Sequence, residues 1–542
     1  MHAAFLILAA LSASVIFWPT RDFMHQLPQG DWGRDLYAFQ RTALGEAPYQ
    51  DYFWNYGPIA PYYYALFLKL FGDAIPSVLL GGIVLKIFSG FLFYSCLALF
   101  FDLPFAFLGA VWFWSFNPNF VHTSNHLIGI FGILLALYFI LKYIRNPEKK
   151  WVYLSLSGIL TAFFVKYNIG LSTLVAAAAS VFIIDTIRSQ GSLLKRILNL
   201  WPFVLVSAAA ATGYALMFQG ISSYSLRLCS PILSEQKNFD MPALVVRLAT
   251  LFMYIRENFY GSFTRSYHDL SFSEGWVPAV AGMFIVWTAA FISYWLRAKE
   301  NVSLSKKEAV LAFTAVSFFS LFSLHEFLLS PINYRIFWAT PALCLLGFFA
   351  GGLILKKMPV YLRAVILLFL CLTAALAIQK EYILKKRAVE FAPFFYLDHE
   401  KASLYVCNSM DWIGTVQNAV DYLNSHLAEN EKFLAVPYEP LYYYLLGRKS
   451  PVFETCFFES FPTPKEREIQ MIEDLEREKI NHVLLSNRNA SEGEFGMFGE
   501  RHYPLLGAYL SAHFEGVAAF GNWDKTADWT DNHAVRIYKR KK

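Results

Sequence analysis

The 542-residue sequence has little charge, since only 16% of its residues are Asp, Glu, Lys or Arg, whereas 56% are hydrophobic. This balance is too apolar for a soluble chain of this length, and the apolar residues fall in runs long enough to span a bilayer. The formal net charge of +5 is also small, and most basic residues lie beside hydrophobic runs, where they determine membrane topology. The composition therefore indicates a membrane protein and argues against a role in nucleic-acid binding.

The sequence also lacks the short motifs of several enzyme classes. It has no G-x-x-x-x-G-K-[ST] loop and no G-x-G-x-x-G after a strand, so neither a nucleotide cofactor nor an ATP-driven pump is expected. It has no H-E-x-x-H and no G-x-S-x-G, which argues against a membrane protease or lipase. Its six cysteines lack the C-x-x-C spacing typical of zinc or thioredoxin-like sites, and a requirement for a divalent metal stays open.

The apolar runs predict an all-α polytopic membrane domain of about 11 transmembrane helices over residues 1–380. The first run is expected to be retained, because it has no basic n-region and bulky Phe17 and Trp18 stand where a signal peptide has small residues. The runs lie at 2–19, 76–101, 103–118, 124–142, 151–166, 168–186, 199–219, 275–296, 308–330, 334–354 and 359–378.

Four short loops that are dense in Lys and Arg predict the orientation of this domain. Under the positive-inside rule all four are cytoplasmic. The long loops 20–75 and 220–274, and the chain after about residue 380, then lie on the outer face of a bacterial cytoplasmic membrane. The four basic loops are 142–150, 187–196, 297–307 and 356–363.

Residues 395–542 are less apolar and predict a small extracytoplasmic α/β domain. Cys407 and Cys456 both lie in it and are candidates for a disulfide in an oxidising compartment. The segment 411–427 has apolar residues at helical spacing, and 462–480 is typical of a charged helix. Short strands are predicted at 432–437, 481–487 and 533–539.

Polar side chains from distant parts of the sequence collect at the predicted outer face. Ionised groups are strongly disfavoured in hydrocarbon, so charged residues close to a bilayer indicate either a solvated loop or a polar site at the membrane surface. Carboxylates together with cations suit an anionic lipid-linked ligand, because the cations hold a phosphate and a carboxylate acts as a base. The candidates are Asp31, Asp35, Asp51, Asn125, His126, Lys166, His268, Asp269, His325, Glu326, Tyr334 and Arg335.

The same residues have structural interpretations. Asp31 precedes a predicted helix and is a good N-cap, and Asp35 can pair with a neighbouring arginine on a solvated face. Lys166 can extend to the membrane interface as lysines near helix ends do, and Arg335 can be a plain flanking anchor. From the residues alone, these interpretations and the functional ones stay open.

A longer pattern adds a family resemblance. D-x-G-x-D-x-x-A-F…L-G-E-x-P-Y-x-D-Y-x-x-x-Y-G-P-x-x-P-Y…L-F-G, which begins at Asp31, resembles the first outer loop of GT-C fold polyprenyl-phosphate-sugar transferases. This group includes the dolichyl-phosphate-mannose protein mannosyltransferases and the bacterial lipid A aminoarabinose transferases. SGILTAFFVKYNIGL and INYRIFWATPALCLL resemble later elements of the group, and VPYEPLYYYLLGRKSP resembles a segment of its outer tail.

The resemblance implies a GT-C-like membrane glycosyltransferase. Such an enzyme moves a sugar from a polyprenyl-phosphate carrier to a lipid, glycan or protein acceptor at the outer face. Asp31 becomes the candidate base and Asp35 a second candidate catalytic acid. Two departures are Trp32, where many members have Glu, and Asn125–His126, where many have an acidic residue. The implied donor-binding or substrate-binding residues are Asp51, Asn125, His126, Lys166, Tyr334 and Arg335.

A polysaccharide or lipid transporter of the flippase type is the alternative function. Transporters tend to have internal repeats and helices broken at matched positions in two halves. The sequence has no convincing self-similarity, and its polar residues collect at one face rather than at mid-membrane. These features favour the transferase.

Overall fold

The structure is a computed structural model of the chain. The residues it describes are 2–17, 30–116, 124–188, 192–219, 304–325, 340–390, 396–402, 404–406, 409–457, 463–488, 498–499, 502–524 and 532–542.

Helices make up most of the described part of the chain before residue 391. Every predicted apolar run except 275–296, which lies outside the described residues, coincides with a helix. The segment predicted as the first outer loop contains two further helices, α2 and α3. The helices are α1 His2–Phe17, α2 Asp31–Ala43, α3 Ile59–Phe71, α4 Ile75–Ala98, α5 Leu103–Phe116, α6 Ser124–Arg145, α7 Lys149–Val165, α8 Tyr167–Arg188, α9 Leu193–Leu198, α10 Trp201–Met217, α11 Leu304–Ser323, α12 Thr340–Leu355 and α13 Val360–Glu390.

Several of these helices are suited to a bilayer. Four segments of the described chain are long and apolar enough to cross a membrane: Ile75–Ala98, Ser124–Arg145, Tyr167–Arg188 and Leu193–Met217, the last including α9. Shorter apolar helices accompany them. Their packing relies on small residues where backbones approach, as is usual between membrane helices. At the α6–α7 crossing, a Cβ on Gly158 would overlap the backbone of Ala136 and Gly132.

The C-terminal region, residues 396–542, contains a mixed four-stranded sheet with helices. The strand order is β3-β4-β6-β5, with β3 parallel to β4 and the other pairs antiparallel. The predicted helix over 411–427 and the predicted strands are present with bounds shifted by a few residues. The elements are β1 Tyr396–Leu397, β2 Leu404–Tyr405, α14 Met410–His426, β3 Leu434–Val436, α15 Pro440–Leu446, α16 Lys465–Arg477, β4 His482–Ser486, α17 Pro504–His513, β5 Phe514–Phe520 and β6 Val535–Arg540.

The C-terminal region shares one aromatic core with the first loop region, residues 30–72. Tyr37 of α2 packs on Tyr443 of α15 with ring centroids 5.6 Å apart, and its hydroxyl accepts from the Ser450 backbone N–H at 3.1 Å. Trp54 and Trp412 are both fully buried in this core. The two regions therefore fold against each other, which places C-terminal side chains beside the first turn of α2.

Cys456 is buried in the same core. Cys407 lies outside the described residues, so the disulfide between these two cysteines stays a prediction.

Candidate functional site

Asp31 is the first residue of α2, and its carboxylate contacts Tyr438 and Arg34. The Tyr438 hydroxyl donates to Asp31 Oδ1 at 2.7 Å, and Arg34 Nη1 lies 3.3 Å from the same oxygen. The expected N-cap role of Asp31 is wrong, because the cap position is Gly30, with φ 65° and no side-chain cap bond. The Asp31 side chain is 43% exposed, so its carboxylate remains accessible.

Asp35 and Arg34 form a buried ion pair behind Asp31. Arg34 donates to Asp35 Oδ1 through Nη2 at 2.8 Å and Nε at 3.1 Å. Asp35 is only 1% exposed, so the expectation of a solvated face is wrong, although its arginine partner is as expected. Burial raises the pKa of Asp35 to about 6, against the lowering effect of the Arg34 charge. Its Oδ2 has no hydrogen-bond partner among the described residues.

Tyr56 connects this pair to Lys166. The Arg34 guanidinium lies 4.9 Å from the centroid of the Tyr56 ring, and the Lys166 ammonium lies 5.4 Å from it. Lys166 directly follows α7, where the Gly57 backbone N–H donates to the Val165 carbonyl at 2.8 Å. The structure thus brings three of the predicted site residues together. We call this group the Asp31 cluster: Asp31, Arg34, Asp35, Tyr56, Lys166 and Tyr438.

Gly57 makes the approach of the first loop region to α7 possible. A Cβ at this position would overlap the backbone carbonyl of Phe164. The Y-G-P part of the sequence pattern therefore has a packing reason, since only glycine lets the two backbones meet here.

The other predicted residues divide into four sets. Asp51 is exposed in a turn, and its Oδ2 accepts from the Ala47 backbone N–H at 2.8 Å. Asn125 and His126 are buried in the first turn of α6, and Asn125 Oδ1 has no hydrogen-bond partner in the described part of the chain. His325 Nδ1 lies 2.7 Å from the Phe322 carbonyl. The residues that lie outside the described ranges are His268, Asp269, Glu326, Tyr334 and Arg335.

Sequence reasoning missed three members of the Asp31 cluster. Arg34 stands between the two aspartates of the pattern, and Tyr56 precedes its Gly-Pro pair, so both were close to residues already singled out. Tyr438 lies in the VPYEP segment that carried part of the family resemblance. That segment was a signal for Tyr438, but no local pattern connects it with Asp31.

No group of three or more His, Cys, Asp or Glu side chains within the described ranges is arranged to hold a metal ion.

Comparisons with known proteins agree with this fold. Residues 55–214 match the family model for dolichyl-phosphate-mannose-protein mannosyltransferases, which covers Asn125, His126 and Lys166 but begins after Asp31, Asp35 and Asp51. A search of the curated proteins found no match.

Among solved structures, the apo oligosaccharyltransferase of Archaeoglobus fulgidus aligns with a TM-score of 0.52 at 14% identity, covering 98% of this chain and 75% of that chain. The same archaeal enzyme in complex with zinc and sulfate gives a TM-score of 0.50 at 14% identity, covering 97% of this chain and 73% of that one. ArnT from Cupriavidus metallidurans in the apo state covers 99% of this chain and 98% of that one, at 11% identity and a TM-score of 0.45.

The predicted resemblance to GT-C fold transferases is therefore confirmed by the family match and by the fold, whereas residues 31–54 of the first-loop pattern lie outside the family match.

Proposed function

We propose that this protein is a membrane glycosyltransferase that takes a sugar from a polyprenyl-phosphate carrier. The acceptor is a lipid, glycan or protein, and the reaction takes place at the outer face of the cytoplasmic membrane. The observation that carries the proposal is the Asp31 cluster next to an apolar helix bundle. In this cluster Lys166 and Arg34 lie over the Tyr56 ring, and Arg34 in turn contacts the accessible carboxylate of Asp31.

The cluster has the groups that this reaction needs. Asp31 accepts the proton of an acceptor hydroxyl, whose oxygen attacks the anomeric carbon of the donor sugar. The bond from that carbon to the phosphate oxygen breaks, and the polyprenyl phosphate leaves with the electron pair. Lys166 stabilises the charge that develops on the phosphate. Arg335, which lies outside the described residues, is proposed as a second phosphate contact. The donor is already activated, so the reaction needs no ATP.

Asp35 has a different role in this scheme. Its carboxylate is buried and holds Arg34 through two hydrogen bonds, so it is poorly placed to meet an acceptor. Arg34 in turn contacts Asp31. Asp35 therefore acts through Arg34, which it keeps between Asp31 and Tyr56.

A transporter is the competing function. The Asp31 cluster argues for chemistry instead, because an exposed carboxylate paired with a tyrosine and an arginine is an arrangement that tunes a base. The cluster also lies where the first loop region meets the C-terminal region, and not at the middle of the apolar bundle.

The proposal is tested with the purified full-length protein in lipid nanodiscs and a panel of polyprenyl-phosphate sugars. Release of polyprenyl phosphate that depends on an added acceptor extract is the expected result. Movement of intact donor across the bilayer of a proteoliposome, without release of polyprenyl phosphate from any donor, would support the transporter and reject the transferase.

A further inference from the structure

One side chain of the C-terminal region reaches the proposed base. The Tyr438 hydroxyl bonds to Asp31 Oδ1, although the two residues lie 407 positions apart in the sequence. Tyr438 is 2% exposed, whereas the Asp31 side chain is 43% exposed. An accessible carboxylate is thus held by a donor that is itself buried.

Buried charges hold Tyr438 in place. The Arg488 guanidinium lies 5.7 Å from the centroid of the Tyr438 ring, and Arg488 Nε donates to Glu439 Oε1 at 3.2 Å. Ser486 Oγ donates to the same Glu439 oxygen at 2.7 Å, and Glu439 is fully buried. Displacing one member of a buried ion pair leaves the other charge uncompensated, so this set resists rearrangement. Tyr438 therefore presents its hydroxyl from a rigid support.

The first turn of α2 is shaped to receive this support. A Cβ on Gly30 would overlap the Tyr438 ring, and a Cβ on Gly33 would overlap the Leu441 backbone. Two positions without side chains therefore let the segment from Tyr438 to Leu441 lie directly against α2. The close approach at Gly30 and at Gly33 thus holds Tyr438 within hydrogen-bonding distance of Asp31.

We propose that Tyr438 is a positioning residue that the C-terminal region contributes to the active site, where its hydroxyl orients the Asp31 carboxylate towards the acceptor. This inference rests on the proposed function, because it takes Asp31 as the base. Tyr438 acts through Asp31 and not on the substrate. A hydrogen bond donated to a carboxylate favours its ionised form, so Tyr438 also extends the activity of the base to lower pH. The Arg34 guanidinium acts in the same direction and the Asp35 carboxylate in the opposite one, and the other titratable groups that face Asp31 in the described part of the chain are Tyr56 and Cys456.

Tyr438→Phe tests the inference, because it removes the hydroxyl and keeps the ring. Tyr442→Phe is the matched control: it also deletes a buried hydroxyl, one that lies 2.8 Å from His533 Nε2 and does not touch Asp31. We expect Tyr438→Phe to lower kcat about 10- to 100-fold, the usual effect of losing a hydrogen bond to a charged group. The KM for the donor should change by less than about twofold, and the acid limb of the kcat/KM profile should move to higher pH. Tyr442→Phe should keep the wild-type kcat and profile.

A second measurement does not depend on turnover. Infrared difference spectra during a pH titration report the protonation of single carboxylates, and Asp31→Asn identifies the Asp31 band. In Tyr438→Phe this band should protonate at higher pH than in the wild type, and in Tyr442→Phe it should not move.

The outcomes separate the two proposals. An unchanged Asp31 band and an unchanged pH profile in Tyr438→Phe would overturn the positioning role. Equal losses of kcat and of Tm in both variants, with no shift of the band, would overturn it too. A wild-type protein that transfers no sugar, while the band still shifts in Tyr438→Phe, would reject the proposed function and leave the Tyr438–Asp31 coupling established.

Discussion

Asp31 and Asp35 lie one helical turn apart and share Arg34, yet their surroundings differ. The Asp31 side chain is 43% exposed, and the Asp35 side chain is 1% exposed. The accessible carboxylate can meet an acceptor hydroxyl, whereas the buried one has its arginine as partner. Burial thus assigns different roles to two residues that the sequence pattern treats alike.

Asp31→Asn should slow turnover by about 10²- to 10⁴-fold, because it removes proton acceptance at nearly constant shape. Stability should change little, since Gly30 and not Asp31 occupies the cap position. Donor affinity should persist, because the proposed phosphate contacts are Lys166 and Arg335. Turnover in nanodiscs, thermal unfolding and donor binding by calorimetry check these three points. Asp51→Asn is the exposed control. Near-normal turnover by Asp31→Asn, together with an inactive Asp35→Asn or Asp51→Asn variant, would show that the inactive variant's aspartate and not Asp31 is the base.

Lys166→Met should weaken donor binding by about tenfold or more, as expected for loss of a charge-assisted contact. The Lys166 charge lies over Tyr56 beside the bundle, where water screens it less than at an open surface. Lys166→Arg should be milder, because it keeps the charge. Lys150→Met is a control at the other end of α7, where the lysine is exposed and pairs with Glu148. Equal donor affinity in Lys166→Met and the wild type would favour the interface interpretation.

The buried Asp35 carboxyl should make stability depend on pH. Its pKa in the folded state is about 6, above the ordinary value of 3.8, so the folded state binds more protons than the unfolded state between these values. The free energy of unfolding therefore falls as pH rises through this window. Asp35→Asn removes the titrating group and should flatten this part of the curve. Thermal unfolding between pH 4.5 and 7 measures the slope, and identical slopes for both proteins would contradict the assignment.

At the scale of elements, α2 and α15 meet through backbone rather than through long side chains. Gly33→Ala puts a Cβ into the Leu441 backbone, which should destabilise the fold by about 1–3 kcal/mol and loosen the C-terminal region. Gly414→Ala in α14 is the matched control, because no atom lies within 4 Å of its Cβ. There, alanine should be neutral or stabilising, since it favours a helix. Thermal unfolding and limited proteolysis should separate the two variants.

Helices and strands were predictable where a local sequence pattern indicates them. The length of apolar runs identified the helices of the bundle, and helical spacing identified α14. The expected cap at Asp31 was wrong, since the cap residue is Gly30, which packs against the Tyr438 ring in a tertiary contact. Most contacts of the Asp31 cluster are also tertiary. The contact between Asp31 and Tyr438, for example, depends on packing between distant parts of the chain and has no local sequence signal.

At the scale of the whole molecule, orientation is the property to measure. Four short loops dense in Lys and Arg predict that residue 542 lies outside the cytoplasm. A reporter that is active only outside the cytoplasm should therefore be active when it is fused after Lys542. The same reporter placed in the basic loop 297–307 should be silent. A silent C-terminal fusion that is expressed normally would show that the predicted topology is wrong, and the proposed face of the reaction would be wrong with it.

The hydrogen bond between Tyr438 and Asp31 can form only late in the synthesis of the chain. A ribosome adds about 5–20 residues per second, so the 407 positions between these residues take roughly 20–80 s to synthesise. During that interval the aromatic side chains of the first loop region, Tyr37 and Trp54 among them, have been made while the C-terminal side chains that cover them have not. A newly made chain thus contains Asp31 long before it contains Tyr438, and the proposed active site is complete only when the last quarter of the chain packs against its beginning.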